Sequence, residues 1–60
     1  MKYKLIKQYK NGRVDIWNFS KEFASDESAV AYVRKRFSSR FLKDCILMTN
    51  DYYQNVIKYF

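Results

Sequence analysis

The sequence predicts a small α+β domain, an antiparallel sheet with one helix packed on one face, and three observations lead there. Two short runs rich in Tyr, Ile, Val, Trp and Phe flank an Asn-Gly pair. A helix start and a stripe of apolar residues at helical spacing come next, and two further β-favouring runs close the chain. The element order is ββαββ, or ββαβα if the last run is helical. With no Pro, a single Gly and no repeated or low-complexity segment, residues 1–60 make one compact domain.

The first two strands are read over residues 2–9 (KYKLIKQY) and 14–19 (VDIWNF). Asn-Gly is the strongest short-range hairpin signal when it supplies both central residues of a type I′ turn, each at positive φ. With Asn11 and Gly12 in those positions, Lys10 lies opposite Arg13, Ile6 opposite Trp17 and Lys4 opposite Phe19. Strand side chains alternate, so Tyr3, Leu5, Tyr9, Val14 and Ile16 share the face expected to meet the helix, interrupted by Lys7 and Asn18. Ile6, Trp17 and Phe19 occupy the other face beside Lys4, Gln8 and Asp15. A bulge in either strand exchanges part of this assignment.

Ser25 reads as a helix N-cap, with Asp26 and Glu27 in the first turn, where the macrodipole favours negative charge. The spacing predicts a helix over 26–41 whose core stripe is Val30, Val33, Phe37 and Phe41. Tyr32, Arg36, Arg40 and Lys43 fall in an adjacent stripe, and Arg34 borders the core stripe on its other side. Lys43-Asp44 ends the helix, residues 45–49 (CILMT) read as a buried strand, and Asn50-Asp51 as a turn. The last segment, 52–60 (YYQNVIKYF), favours a strand by its aromatic and β-branched content. Tyr52, Val56 and Tyr59 also sit at i, i+4 and i+7, the spacing of a helix.

Composition excludes several classes of function. One cysteine allows no internal disulfide, and the absence of histidine removes the usual zinc ligand sets, so no cofactor or metal site is expected. The six carboxylates are scattered, Cys45 has no histidine to serve as its base, and there is no glycine-rich phosphate loop; no catalytic residue is assigned and the chain reads as a non-enzyme. The longest apolar run, residues 45–48, is far shorter than the roughly 20 residues that span a bilayer. No apolar segment of the signal-peptide kind follows the basic N-terminus, so a cytoplasmic location without a membrane partner is expected. Asn18-Phe19-Ser20 matches the glycosylation sequon and is read as chance.

Charge is the most informative feature. The chain carries 12 basic and six acidic residues, a net charge of +6. Lys2, Lys4, Lys7, Lys10 and Arg13 cluster in the first 13 residues, which contain no acid, and Arg34, Lys35, Arg36, Arg40 and Lys43 cluster in the second half of the helix. The bland explanation is a solvated face with lysines guarding an edge strand. The leading functional reading is a stand-alone protein-binding module that docks on a larger protein with an acidic surface. Its expected contacts are Lys10 and Arg13 at the hairpin tip, with Trp17, Phe19 and Ile6 as an aromatic and apolar patch. Such one-domain chains are often inhibitors or regulators, among them phage-type accessory proteins that neutralise a host defence, toxin or nucleic-acid enzyme. The alternative is direct DNA or RNA binding, with phosphates on Arg34, Lys35, Arg36, Arg40 and Lys43 and bases stacked on aromatic rings. A homodimer is the third reading.

Overall fold

The computed structural model describes residues 1–60 and contains the expected ββαββ order, with one extra helical turn. The elements are β1 (Tyr3–Gln8), β2 (Val14–Asn18), α1 (Asp26–Arg36), α2 (Ser39–Leu42), β3 (Cys45–Thr49) and β4 (Val56–Tyr59). All four strands join one antiparallel sheet in the order β2-β1-β3-β4. The last segment is therefore a strand over Val56–Tyr59 only, as its β-branched and aromatic content favours over its helical spacing, whereas residues 52–55, expected in the same strand, belong to the connection from β3.

The hairpin register differs from the expected one by a single residue. Gly12 N–H donates to the Tyr9 carbonyl at 3.0 Å, and Tyr9 N–H donates to the Arg13 carbonyl at 2.9 Å, so Tyr9 rather than Lys10 lies opposite Arg13. The loop thus has three residues, Lys10, Asn11 and Gly12, and only Gly12 takes positive φ, at 90°. This is a turn closed by a glycine in the left-handed region, a common three-residue hairpin loop. Asn11 instead accepts a hydrogen bond from Arg13 N–H through its side-chain oxygen at 3.0 Å. Leu5 now faces Trp17, and Ile6 faces Ile16.

A shift of one residue turns every side chain of β2 to the opposite face. Tyr3, Leu5 and Lys7 keep the helix-covered side, but Trp17 and Asp15 join them and Val14 and Ile16 turn outward. β3 contributes Cys45, Leu47 and Thr49 to the covered side, opposite Lys7, Leu5 and Tyr3. Ala29 and Val33 of α1, Leu42 of α2 and Phe23 from the β2-α1 connection complete the core. Only nine of the 60 residues are buried, which is the thin core expected of so short a chain.

The helix starts as the sequence indicates, with Ser25 Oγ accepting from Ser28 N–H at 3.2 Å and two carboxylates in the first turn. It does not run to Phe41. Phe37 adopts an extended conformation, and Ser38 caps a new turn by accepting from Phe41 N–H at 3.1 Å. A serine that can satisfy a free N–H of the next turn competes with helix continuation, and the restart buries Leu42 while Phe41 stays half-buried. Asp44 follows at φ 68°, the left-handed stop more often given to Gly or Asn. The Lys7 ammonium donates to the carbonyls of Phe41 and Lys43 and lies 4.8 Å from the Phe41 ring centroid, placing a cation on the C-terminal end of α2.

Tyr3 ties the sheet to the start of α1. Its ring is fully buried against Phe23, and its hydroxyl donates to Asp26 Oδ1 at 2.6 Å. Burial, then the hydrogen bond and the charge of Asp26, push the Tyr3 phenol up to about 12 from the ordinary 10.0. A folded-state pKa above the unfolded one means that this contribution to stability is complete below pH 10 and is lost as pH rises toward 12. A spectrophotometric alkaline titration should therefore show one of the six tyrosines ionising last, with loss of structure accompanying it. Tyr3→Phe should abolish that last phase and lower stability by about 1.5–3 kcal/mol; a variant whose last phase is unchanged contradicts the assignment.

Candidate functional site

The helices cover one face of the sheet, and alternation sends the remaining residues of each strand to the other. The pairing aligns these into rows that cross all four strands. Ile16, Ile6, Ile46 and Tyr59 form the first row, and Asn18, Lys4, Met48 and Val56 the second. Val14, opposite Gln8, extends the surface toward the hairpin tip. Ile16 is 54% exposed, Val14 50%, Val56 41% and Tyr59 70%, while Ile6, Ile46 and Met48 are half-buried by their neighbours. Single exposed aliphatics are ordinary on protein surfaces, but a contiguous row of three isoleucines and a tyrosine marks a surface that gains by being covered.

Lys4 is the only ionisable lysine or carboxylate in these rows, and its ammonium donates to the Gln54 side chain at 2.9 Å. Gln54 belongs to the β3-β4 loop, which is tightly organised. Asp51 Oδ1 accepts from the backbone N–H of Gln54 at 2.9 Å, from Tyr53 N–H at 3.0 Å and from the Thr49 hydroxyl at 3.0 Å. These donors, Gln54 N–H first, hold the Asp51 carboxyl below its usual range, so protonation at low pH loosens the loop. What the loop displays is a tyrosine pair: Tyr52 is 93% and Tyr53 77% exposed, with ring centroids 5.5 Å apart in an edge-to-face arrangement. A rigid loop that presents two amphipathic rings has already lost the entropy that docking would otherwise cost.

The residues expected to form one binding patch are divided between two faces. Ile6 lies on the open face, whereas Trp17 and Phe19 pack toward the helices. The Trp17 ring meets Phe37 at 6.0 Å and Phe41 at 5.3 Å, both edge-to-face, and Phe19 meets Tyr32 at 5.9 Å. Trp17 and Phe19 remain half-exposed along a shallow groove of about 300 Å³ that Arg36 and Lys21 also line. At the hairpin tip Lys10 is free, but the Arg13 guanidinium is engaged by Asp15 at 3.0 and 3.2 Å and lies over the Tyr9 ring. The same carboxylate accepts from the Tyr9 hydroxyl at 3.2 Å, and burial followed by that bond raises the Tyr9 phenol.

The basic stripe is divided as well. The break at Phe37 separates Arg34, Lys35 and Arg36 on α1 from Arg40 on α2 and from Lys43, which caps it. Arg34 and Lys43 line a larger cleft together with Lys58 of β4, a residue that sequence reasoning left aside. Ile46 and Met48 were likewise not singled out, and Ile16 was expected on the helix-covered face rather than here. Period-2 alternation along residues 45–49 separates Ile46 and Met48 from Cys45, Leu47 and Thr49, and that signal was available. Cys45 is buried, and burial raises its thiol pKa, so it is poorly suited to act as a nucleophile. No group of three His, Cys, Asp or Glu side chains is placed to hold a metal, and no helix is long and apolar enough to cross a membrane. Comparison with protein-family models, with curated proteins and with solved structures gave no match for this chain.

Proposed function

We propose that this domain is a protein-binding module, an inhibitor or regulator that docks through the open face of its sheet on a larger protein. The observation that carries the reading is the row Ile16-Ile6-Ile46-Tyr59, which crosses all four strands with no carboxylate in it or in the neighbouring row. Tyr52 and Tyr53 stand on an adjoining rigid loop as aromatic anchors of the kind that dominate interface energetics. The partner is expected to present an apolar surface bordered by carboxylates, because the chain carries a net charge of +6 and the open face carries only Lys4. Positive charge distributed over the rest of the molecule steers such an encounter and sets its salt dependence.

The test is affinity capture from the native host with the wild-type chain and with Ile16→Glu. The side chain of Ile16 is more than half exposed, so the substitution should change stability by no more than about 0.5 kcal/mol and leave the circular dichroism intact. Wild type should retain a stoichiometric protein that the variant loses. Equal capture by both chains, or no stoichiometric protein with wild type, removes the open face from consideration. Sedimentation at micromolar concentration resolves the homodimer reading in the same samples: a monomer leaves the open face for a different protein, and a dimer that Ile16→Glu dissociates assigns the face to a second copy.

A further inference from the structure

We propose that the free edge of β2 takes up an extended segment of the partner protein as a fifth strand, one that alternates apolar residues on the open face with acidic residues over the groove between β2 and α1. This rests on the reading of the domain as a protein-binding module and names the form of partner it engages. In strand addition, main-chain hydrogen bonds supply affinity and alternate side chains supply specificity.

The two edges of the sheet are built differently. β4 is four residues long, carries Lys58 and pairs with β3 through an irregular register between Leu47 and Met48, features that discourage a further strand. β2 has none of them: it is five residues long, keeps an unbroken register with β1 and contains neither lysine nor proline. The Arg13 carbonyl accepts from Tyr9 N–H, and Phe19 N–H donates to the Tyr3 carbonyl. Bonding positions alternate along an antiparallel strand, so the backbone of residues 13, 15, 17 and 19 faces β1. The N–H and C=O groups of Val14, Ile16 and Asn18 therefore point away from the sheet, and no turn, loop or side chain satisfies them. The chain beyond β2 leaves this edge open, because it runs beside the start of β1, with Phe23 N–H on the Met1 carbonyl at 3.0 Å.

The surroundings of the edge specify what joins it. A fifth strand lies about 4.8 Å beyond β2 and alternates its side chains between the two faces. On the open face it borders Val14 and Ile16, and an apolar residue opposite Ile16 continues the isoleucine row. On the helix side it borders the shallow groove lined by Trp17, Phe19, Tyr32, Phe37, Lys21 and Arg36. No carboxylate lines that groove, and neither cation belongs to an ion pair. The carboxylates nearest in sequence are occupied, Glu22 by the Met1 amine and Asp15 by the Arg13 guanidinium. The Lys21 ammonium lies 4.9 Å from the Tyr32 ring centroid, which holds it at the groove without neutralising it. Acidic side chains opposite Trp17 and Phe19 thus meet two free cations. A second copy is a poorer occupant. β2 paired with itself about Ile16 sets Phe19 opposite Arg13 of the other copy and brings the Lys21 end of one strand to the Lys10 end of the other, so like charges meet.

The probe is a capped peptide, Glu-Val-Glu-Ile-Thr-Val, which in antiparallel pairing sets its Ile opposite Ile16 and its two Glu opposite Trp17 and Phe19. Amide hydrogen exchange of the full chain is followed by NMR. In the free domain the Val14, Ile16 and Asn18 amides should exchange without protection, while those of Asp15 and Trp17 are protected. With peptide at ten times its dissociation constant, the three edge amides should exchange about tenfold more slowly. Lys in place of both Glu should weaken binding at least about fivefold. N-methylation of the peptide Ile, whose N–H faces β2, should abolish binding, whereas N-methylation of its Thr, whose N–H faces away, should leave binding unchanged. Equal losses from the two methylations, edge amides left unprotected at millimolar peptide, or tighter binding of the Lys peptide overturn the proposal. A dimer that protects the edge amides without peptide overturns it in favour of a second copy. A chemically synthesised chain with N-methylated Ile16 separates strand addition from docking on the open face, because it keeps every side chain of that face and removes one edge N–H. Loss of the captured host protein by this chain supports the added strand. Its retention, with loss by Ile16→Glu, leaves open-face docking intact and overturns the added strand.

Discussion

Leu47→Ala should leave the domain largely unfolded at room temperature. Leu47 is fully buried on β3, directly opposite Leu5 of β1, so it sits in the central strand pair beneath the helices. Truncating a buried leucine costs about 2–5 kcal/mol in transfer and cavity terms. A single core in a chain of this size rarely supplies more than about 3–5 kcal/mol in total, and no disulfide adds to it. The loss is therefore comparable to the whole stability. Denaturant unfolding followed by Trp17 fluorescence checks this. Leu47→Met should retain a folded baseline at a cost under about 1.5 kcal/mol, whereas Leu47→Ala should show none. An alanine variant with a midpoint near wild type would mean that the core lies elsewhere.

Trp17→Ala should be the second most damaging change, lowering stability by about 3 kcal/mol. Trp17 is the hub of an aromatic cluster: it touches Phe37 and Phe41 edge-on, and those two rings stack on each other at 5.1 Å with an interplanar angle of 17°. Removing the indole exposes both phenylalanines and loosens the junction between α1 and α2. Had Trp17 been an exposed hot spot on the open face, the same variant would stay fully folded and lose only its partner. Thermal unfolding separates the two outcomes, because a drop in Tm of many degrees follows only from the packed position. Trp17→Phe should recover part of the loss.

Much of the fold was legible in the residues. The Asn-Gly hairpin, the Ser25 cap with its acidic first turn, and the β-branched character of residues 45–49 and 56–59 each report local physics that tertiary structure did not override. Register was the weak point. β2 is apolar on both sides, with Val14 and Ile16 on one and Trp17 and Phe19 on the other, so its pattern alone does not say which side is buried. The deciding fact is steric and non-local: the large rings of Trp17 and Phe19 have Phe37, Phe41 and Tyr32 to meet on the helix side, whereas aliphatic side chains do not need them. The turn also permitted two readings, since Asn-Gly serves both as the centre of a two-residue loop and as the end of a three-residue one with Gly at the last position of a type I turn. That ambiguity moved the candidate surface from Trp17 and Phe19 to the isoleucine row. The break at Ser38 had a similar origin, because helical spacing through Phe41 is preserved whether or not the backbone restarts.

The strand order has a consequence for how the chain reaches this structure. β1 and β2 form one local hairpin and β3 and β4 another, but the central pair of the sheet joins β1 to β3 across residues 9–44. Two-stranded hairpins are marginal in water by themselves, and closing a long loop is the step that slows folding. Neither hairpin can bury Tyr3, Leu5 or Leu47 until the other arrives, so the first strand must wait for the last third of the chain. Folding is thus a single late event, in which a ribosome-bound chain ending before β3 holds its first strand open.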